Sequence, residues 1–168
     1  MVLMIISALV AFLIPKFNHL QDDAHQSSVQ LTANSLQSAV RLTHSLWQSQ
    51  GSNSKTGLLK GYGSGNILMG KKGWPIAAID MNHQDSTIET VRFALDNSTC
   101  VRLWNGLLKN TAPKVGLEIE NDNVAESNLE SIYLAQLISG TCRYRYRPHQ
   151  DDMQIHYDLE TGRVITLF

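Results

Sequence analysis

The first fifty residues of the chain have the pattern of one long helix that changes character along its length. Residues 1–14 carry no charge, and residues 15–50 are amphipathic. In the second part, apolar residues recur mainly at three- and four-residue steps, at Val29, Ala33, Leu36, Val40 and Trp47. This spacing is typical of a helix with one buried face. A helix of about 50 residues is roughly 75 Å long. A domain built from the rest of the chain covers only its second half, so the first half needs lipid or other subunits.

The apolar segment has more than one interpretation when it is taken alone. A membrane-spanning helix needs about 20 apolar residues, and a run of about 10–14 is more often a core helix or part of a signal sequence. A cleaved signal has basic residues before the apolar run and small residues at a cleavage site after it, and neither is present. A buried helix of a soluble domain therefore remains the alternative. Pro15 is expected to kink or locally melt the helix, and residues 51–54 are expected to end it.

The balance of charges and the number of cysteines argue against some classes of function. The chain has 168 residues with 14 basic and 15 acidic side chains, which fits one domain with an extension. Because the charges nearly cancel and are interspersed, no global field favours nucleic acid or anionic lipid. Two cysteines do not make a metal-site pattern.

The rest of the chain predicts an α+β fold, in which the long helix packs against a C-terminal antiparallel sheet. Residues 51–84 are glycine-rich and are interpreted as a connector. Helices are expected at 87–95 and 99–110, the second capped by Asn97 or Ser98. Short alternating runs predict strands at 115–120, 131–138, 141–147, 153–158 and 164–168. Residues 158–163 are expected to form a hairpin loop with Gly162 in a left-handed conformation.

Three stretches together resemble a known family. Pro15-Lys16-Phe17 is followed by Leu20-Gln21-Asp22-Asp23-Ala24, Gly73-Trp74-Pro75 lies in the middle, and Cys142–Tyr146 and Tyr157–Val164 lie near the end. The chain resembles type IV pilins, most closely those of the mannose-sensitive haemagglutinin (MSHA) pilus. The resemblance is strong over about the first 50 residues and diffuse beyond them.

The resemblance implies a structural protein and not an enzyme. The chain would be a pilus subunit that waits in the inner membrane of a Gram-negative bacterium with its globular domain in the periplasm. The resemblance leaves open whether the subunit is major or minor, and the long connector and the extra helices favour a minor one. It would then join an extracellular pilus, with other pilin subunits as partners and a role in adhesion. No catalytic residue, cofactor, metal or small-molecule substrate is implied. The assembly and membrane helix would use Ile5, Ile6, Leu9, Val10, Leu13, Pro15 and Phe17.

One departure from the family concerns the start. Pilins begin with a short basic leader that ends in glycine, followed by phenylalanine and a glutamate five residues into the mature chain. When this chain is aligned on Pro15, those residues would lie upstream of Met1. We therefore expect an in-frame Gly-Phe-x-x-x-Glu in the encoding DNA before Met1. Without it, the chain would be a defective or repurposed relative.

The two cysteines are expected to pair if the domain is exported to an oxidising periplasm. In pilin-like proteins such a bridge closes the variable C-terminal region, and the resemblance carries that role to Cys100 and Cys142. The bridge would contribute roughly 3–4 kcal/mol in the chain-entropy model. Two buried free thiols are the alternative.

Arginines alternate with tyrosines near the C-terminus, at Arg143, Arg145 and Arg147 against Tyr144 and Tyr146. Basic residues interleaved with aromatic ones bind single-stranded nucleic acid in some proteins. Alternation in a strand also places the two residue types on opposite faces. The favoured interpretation is a sheet whose arginine face is solvated or faces the helix, with the tyrosines in a core layer.

Two other functions are compatible with the same sequence patterns. A type II secretion pseudopilin shares the N-terminal pattern. A membrane-anchored periplasmic binding module would bind a glycan or DNA through the arginine face. The glycines at 61–65 lack the strand and the Gly-Lys-Ser/Thr ending of a phosphate loop. His19 and Asp23, four residues apart, offer at most two metal ligands.

Overall fold

Two helices and two sheets make up the described part of the chain, and the fold is α+β as the sequence predicts. The computed structural model describes side chains from residue 21 onward and only the backbone of residues 2–20. The described ranges are 2–51, 57–59, 61–63, 67–79, 95–109, 112–118, 130–149 and 152–168.

Helix α1 runs from Val2 to Ser49. All five apolar residues of the stripe predicted between Val29 and Trp47 are buried, which confirms that this face packs on the domain. The helix continues through Pro15, so the predicted local melting is wrong. Proline removes a single helical hydrogen bond and displaces one carbonyl, and here this does not end the helix. The helix stops before Gly51, whose φ of 77° lies in the left-handed region.

Three short strands form a sheet inside the segment that the sequence analysis interprets as a connector. They are β1 (Leu58–Leu59), β2 (Ile67–Met69) and β3 (Pro75–Ala78), paired antiparallel in that order. Every residue of β2 is fully buried. A strand that is covered on both faces shows no alternation of polar and apolar residues, so the period-two pattern that reveals other strands is absent here.

Helix α2 runs from Asn97 to Leu108, close to the predicted 99–110. Its cap is Asp96, not Asn97 or Ser98 as expected. The Asp96 carboxylate accepts a hydrogen bond from the Thr99 N–H at 2.9 Å, and the Thr99 hydroxyl accepts one from the Asp96 N–H at 3.1 Å. These reciprocal bonds form a capping box. The predicted helix at 87–95 lies outside the described residues, apart from Leu95.

The second sheet contains five strands in chain order. They are β4 (Val115–Leu117), β5 (Tyr133–Ile138), β6 (Thr141–Tyr146), β7 (Gln154–Asp158) and β8 (Val164–Leu167). Each lies within a predicted strand. Only β4 differs from the prediction in its pairing, because it runs parallel to β5. The sheet is therefore mixed and not purely antiparallel, and the 118–132 connection is long enough for the crossover that parallel pairing requires.

The hairpin between β7 and β8 has the predicted left-handed glycine, with a φ of 69° at Gly162. Asp158 holds the turn, because its carboxylate accepts hydrogen bonds from the N–H groups of Glu160 and Thr161 at 2.8 and 3.2 Å. The carboxylate pKa of Asp158 is lowered, since these hydrogen bonds outweigh the opposing effect of partial burial.

Helix α1 lies antiparallel to β8 and bonds to it through glutamines. The Gln37 amide accepts from the Val164 N–H at 3.1 Å and donates to the Gly162 carbonyl at 3.3 Å. About two helical turns before Gln37, the side-chain oxygen of Gln30 accepts a hydrogen bond from the Thr166 hydroxyl at 3.1 Å. These contacts fix the height of each part of β8 along the helix.

We expect the substitution Asp96→Ala to lower the free energy of unfolding by about 1 kcal/mol, because it removes the α2 capping box. Urea unfolding followed by circular dichroism measures the change. Asn105→Ala, at an exposed position in the middle of the same helix, is the control and should change stability far less. Equal losses in the two variants would contradict the role of the cap.

The same cap predicts a pH dependence. Burial raises the Asp96 pKa, but the hydrogen bonds from Ser98 and Thr99 and the charge of Arg102 together lower it by more, so the net shift is downward. A carboxyl with a lowered pKa in the folded state stabilises the fold above its unfolded value, and this contribution is lost as the pH falls through the folded value. The stability gap between the native chain and Asp96→Ala should therefore shrink below about pH 4.

Candidate functional site

Cys100 of α2 and Cys142 of β6 form a disulfide, with a Cα–Cα distance of 5.6 Å. Both residues are fully buried. The Tyr144 hydroxyl donates to the Cys100 carbonyl at 3.0 Å, so the strand and the helix meet at two neighbouring points. The bridge links α2 to the central strand β6, and strands β4 and β5 lie in the chain segment between the two cysteines.

Strand β6 separates its two residue types onto opposite faces, as the alternation predicts. Tyr144 is fully buried and Tyr146 is 7% exposed. Trp104 packs against Tyr144 and Tyr133, with ring centroids 4.6 and 5.2 Å apart. Burial raises the pKa of Tyr133 to about 12 and that of Tyr144 further. These hydroxyls therefore stay protonated at neutral pH, and the tyrosine layer serves as core.

The arginine face of the sheet is bound by an acidic residue that the sequence analysis did not single out. The Glu118 carboxylate lies 3.3 Å from a terminal nitrogen of Arg143 and 2.8 Å from one of Arg145. Arg143 also donates to the Gln136 side chain, and Arg147 donates to the Ser131 carbonyl at 3.0 Å. Only 18% of the Glu118 side chain is exposed, so an anionic ligand at this face would compete with a partly desolvated internal partner.

Trp74 is held between helix α1 and the β7–β8 turn. Its ring stacks on His44 at a centroid distance of 3.8 Å and an angle of 13°. On the turn side Gly162 approaches so closely that a Cβ there would lie 2.1 Å from Trp74 Cε3. His44 Nδ1 lies 2.7 Å from the Gly73 carbonyl oxygen, and the Tyr157 hydroxyl donates to the Pro75 carbonyl at 2.8 Å. The Gly73-Trp74-Pro75 motif and the Tyr157–Val164 motif thus meet in space.

A cavity of about 350 Å³ opens beside this contact. Its walls are mostly apolar and include Trp74, Ile76, Leu95 and Leu159. The exposed Lys71, Lys72 and Glu160 also line it, and Lys72 Nζ lies 2.7 Å from a Glu160 oxygen. We call this feature the Trp74 cavity.

A second polar contact joins α1 to the loop after β6. Asp22 lies 2.9 Å from His149 Nε2, and His25 Nδ1 lies 2.9 Å from the Tyr146 hydroxyl. The two histidine rings are 5.0 Å apart. Across the described residues, no group of three or more His, Cys, Asp or Glu side chains is placed to hold a metal ion.

The proposed assembly residues all lie in the first part of α1, where the structure gives the backbone alone. These are Ile5, Ile6, Leu9, Val10, Leu13, Pro15 and Phe17. Within the described part of the chain, no helix has an apolar stretch long enough to cross a membrane.

Sequence reasoning missed three residues that organise these contacts. Glu118 stands at the end of a predicted strand, and its partners lie 25 and 27 residues away. Gln37 and His44 lie outside the apolar stripe by which the sequence predicts the buried face of α1. They sit at the border of the apolar stripe, and polar residues at such borders are the ones that reach neighbouring backbone groups.

The substitution Gly162→Ala should destabilise the fold by several kcal/mol more than Gly140→Ala. Both glycines have a positive φ, 69° and 79°, so both substitutions carry a backbone penalty of about 1–2 kcal/mol. Only at Gly162 does the new Cβ collide with the Trp74 ring, since nothing lies within 4 Å at Gly140. Urea unfolding gives the two free energies. Equal destabilisation would mean that the close approach to Trp74 is unimportant.

Replacing both Cys100 and Cys142 by serine should lower the free energy of unfolding by about 4 kcal/mol, because the bridge spans 42 residues of chain. Unfolding of the native chain with and without reductant provides the comparison. The free energy of unfolding of the double-serine variant should be the same with and without reductant. A native chain that unfolds at the same denaturant concentration in both conditions would rule out a stabilising bridge.

Comparison with protein-family models, with curated proteins and with solved structures finds no match to this chain. What the chain does must therefore be argued from its own residues and their arrangement.

Proposed function

We propose that this chain is a minor structural subunit of a type IV pilus of the MSHA type, which assembles through its N-terminal helix and contributes to surface adhesion. One observation carries the proposal. Helix α1 is continuous from Val2 to Ser49, and the residues from Asp22 to Trp47 that pack on the domain follow the uncharged residues 2–14 in the same helix. About 20 residues of helix, roughly 30 Å, precede them.

The sequence of that first part explains why it needs a partner. Residues 2–14 are uncharged and largely aliphatic, and leaving such side chains in water is unfavourable. Burial of 1,000 Å² of apolar surface against neighbouring helices is of order 25 kcal/mol before entropy costs. In this proposal the helix exchanges lipid of the inner membrane for the helices of other pilin subunits, and the globular domain forms the filament surface.

The domain has features that suit a surface exposed outside the cell. The Cys100–Cys142 bridge fits an oxidising compartment, and the sheet holds α1 by both apolar packing and the glutamine contacts. A pseudopilin would share these features. The alternative of a glycan or DNA receptor has less support, because Glu118 already pairs with Arg143 and Arg145.

A charge placed in the apolar part of α1 tests the proposal. We expect the full chain to form sedimenting filaments on removal of detergent and Leu9→Arg to abolish them, because the arginine would be buried without a partner. Leu31→Arg is the matched control, since Leu31 is 68% exposed on the outer side of the same helix. Sedimentation and electron microscopy give the readout.

A chain shortened to begin at residue 25 should remain monomeric at micromolar concentration. If it still polymerised, or if Leu9→Arg formed filaments like the native chain, the N-terminal helix would not be the assembly element. In either case the proposed function would have to be abandoned.

A further inference from the structure

The Trp74 cavity lies where three turns of the two sheets meet, and the proposed function makes no use of it. Its walls come from the β2–β3 turn, the β5–β6 turn and the β7–β8 turn, with Leu95 before α2. The Leu159 N–H donates to the Gly140 carbonyl at 3.1 Å, and the Gly70 N–H donates to the Trp74 carbonyl at 2.7 Å. Because these backbone groups are already paired, the side chains decide what the cavity can bind.

The apolar walls suit a flexible aliphatic chain better than a planar ring. Ile76, Leu95 and Leu159 line the cavity. His44 stacks on Trp74 at 3.8 Å, and Gly162 lies close against the six-membered part of the same ring. Little of the Trp74 ring is therefore left for a ligand to stack on, although a nucleobase would need such a face.

The size of the cavity sets the length of such a chain. Its volume is about 350 Å³, which lies within the range of ligand pockets. A cavity of about 150 Å³ with apolar walls holds one benzene molecule. By the same measure, the Trp74 cavity has room for an aliphatic chain of about ten carbon atoms.

The charged groups around the mouth favour an anion at the end of that chain. Among the described residues of the three turns and the start of α2, four are basic and three acidic: Lys71, Lys72, Arg102, Arg163, Asp96, Asp158 and Glu160. Each acidic group is already engaged. Asp96 lies 3.7 Å from Arg102, and Glu160 lies 2.7 Å from Lys72. The Asp158 carboxylate accepts two N–H groups of its own turn.

Lys71 is the cation that an incoming ligand can use. It lines the cavity and is exposed at the mouth, and within the described part of the chain no acidic group pairs with it. Water and salt screen a charge at such a position. The lysine therefore selects among ligands by charge more than it adds affinity.

We propose that the Trp74 cavity binds a medium-chain carboxylate, with its aliphatic chain against Ile76, Leu95 and Leu159 and its carboxylate beside Lys71. The site lies outside the part of α1 that is assigned to assembly. It goes beyond the proposed pilus function and does not depend on it, so each can fail without the other.

Photolabelling of the full chain tests the site. The chain is held in an amphipathic polymer without free detergent, and the probe is decanoic acid with a diazirine in its chain. Mass spectrometry should find the label on the peptides that contain Ile76 or Leu159, and an excess of decanoate should reduce it several-fold. Label on the apolar residues 2–14, which any aliphatic molecule can contact, is the internal reference and should change far less.

Competitors with the same chain length test the recognition of charge. At equal concentration, 1-decanol and decyltrimethylammonium should displace the label several-fold less well than decanoate. Lys71→Glu should remove most of this preference for decanoate. Lys114→Glu, which changes an exposed lysine outside the cavity, is the matched control and should keep it.

Filling the cavity tests the place of the chain. Ile76→Trp should abolish the displaceable label, whereas Ile165→Trp, at a position 38% exposed on β8, should keep it. Circular dichroism checks that both variants are folded, and the surface variant Lys71→Glu carries the test if Ile76→Trp is not.

Three results would overturn the inference. The first is label confined to residues 2–14. The second is equal displacement by decanoate, 1-decanol and decyltrimethylammonium, and the third is a preference for decanoate that Lys71→Glu leaves unchanged.

Discussion

Burial of one face of α1 against the tyrosine layer is the contact on which the rest of the domain depends. Val29, Leu36 and Val40 are fully buried there, against a sheet whose inner side presents Tyr133 and Tyr144. This packing places the polar borders of the helix beside groups that need partners. Gln37 reaches the backbone of β8, and His44 reaches Gly73 and Trp74. Each of these polar contacts adds little net free energy by itself, but together they select one height of the helix along the sheet.

The outer side of the sheet follows a different physical rule. Its arginines are not left as a uniform basic surface, because Glu118 sits between Arg143 and Arg145 and is itself largely covered. A partly buried ion pair contributes orientation more reliably than stability. The network therefore fixes β4, which carries Glu118 at its end, against the two strands that carry the arginines and their neighbour Gln136. The arginine face of the sheet thus holds β4, the strand that runs parallel to its neighbour β5, in place.

Long, repeated patterns in the sequence predicted the fold well. The α1 stripe spans several turns, and the five C-terminal strands alternate over enough residues to stand out. Other features depend on contacts that local sequence does not contain. Strands β1 to β3 have two to four residues each, and every residue of β2 is buried, so they show no period. Asp96, Asn97 and Ser98 are all good caps, and only the path of the chain selects Asp96. The partners of Glu118 and the direction of β4 are set by pairing across long stretches of chain.

The glutamine contacts between α1 and β8 also determine whether the edge of the sheet is open to other strands. A sheet that ends in an open strand offers its backbone to any other strand of suitable length, and uncontrolled side-by-side growth is the result. At β8 the Val164 N–H is already occupied by Gln37, and Gln30 lies over Thr166. A foreign strand would have to displace α1 before it could pair at this edge. The helix thus shields the β8 edge of its own sheet from pairing with a strand of another molecule.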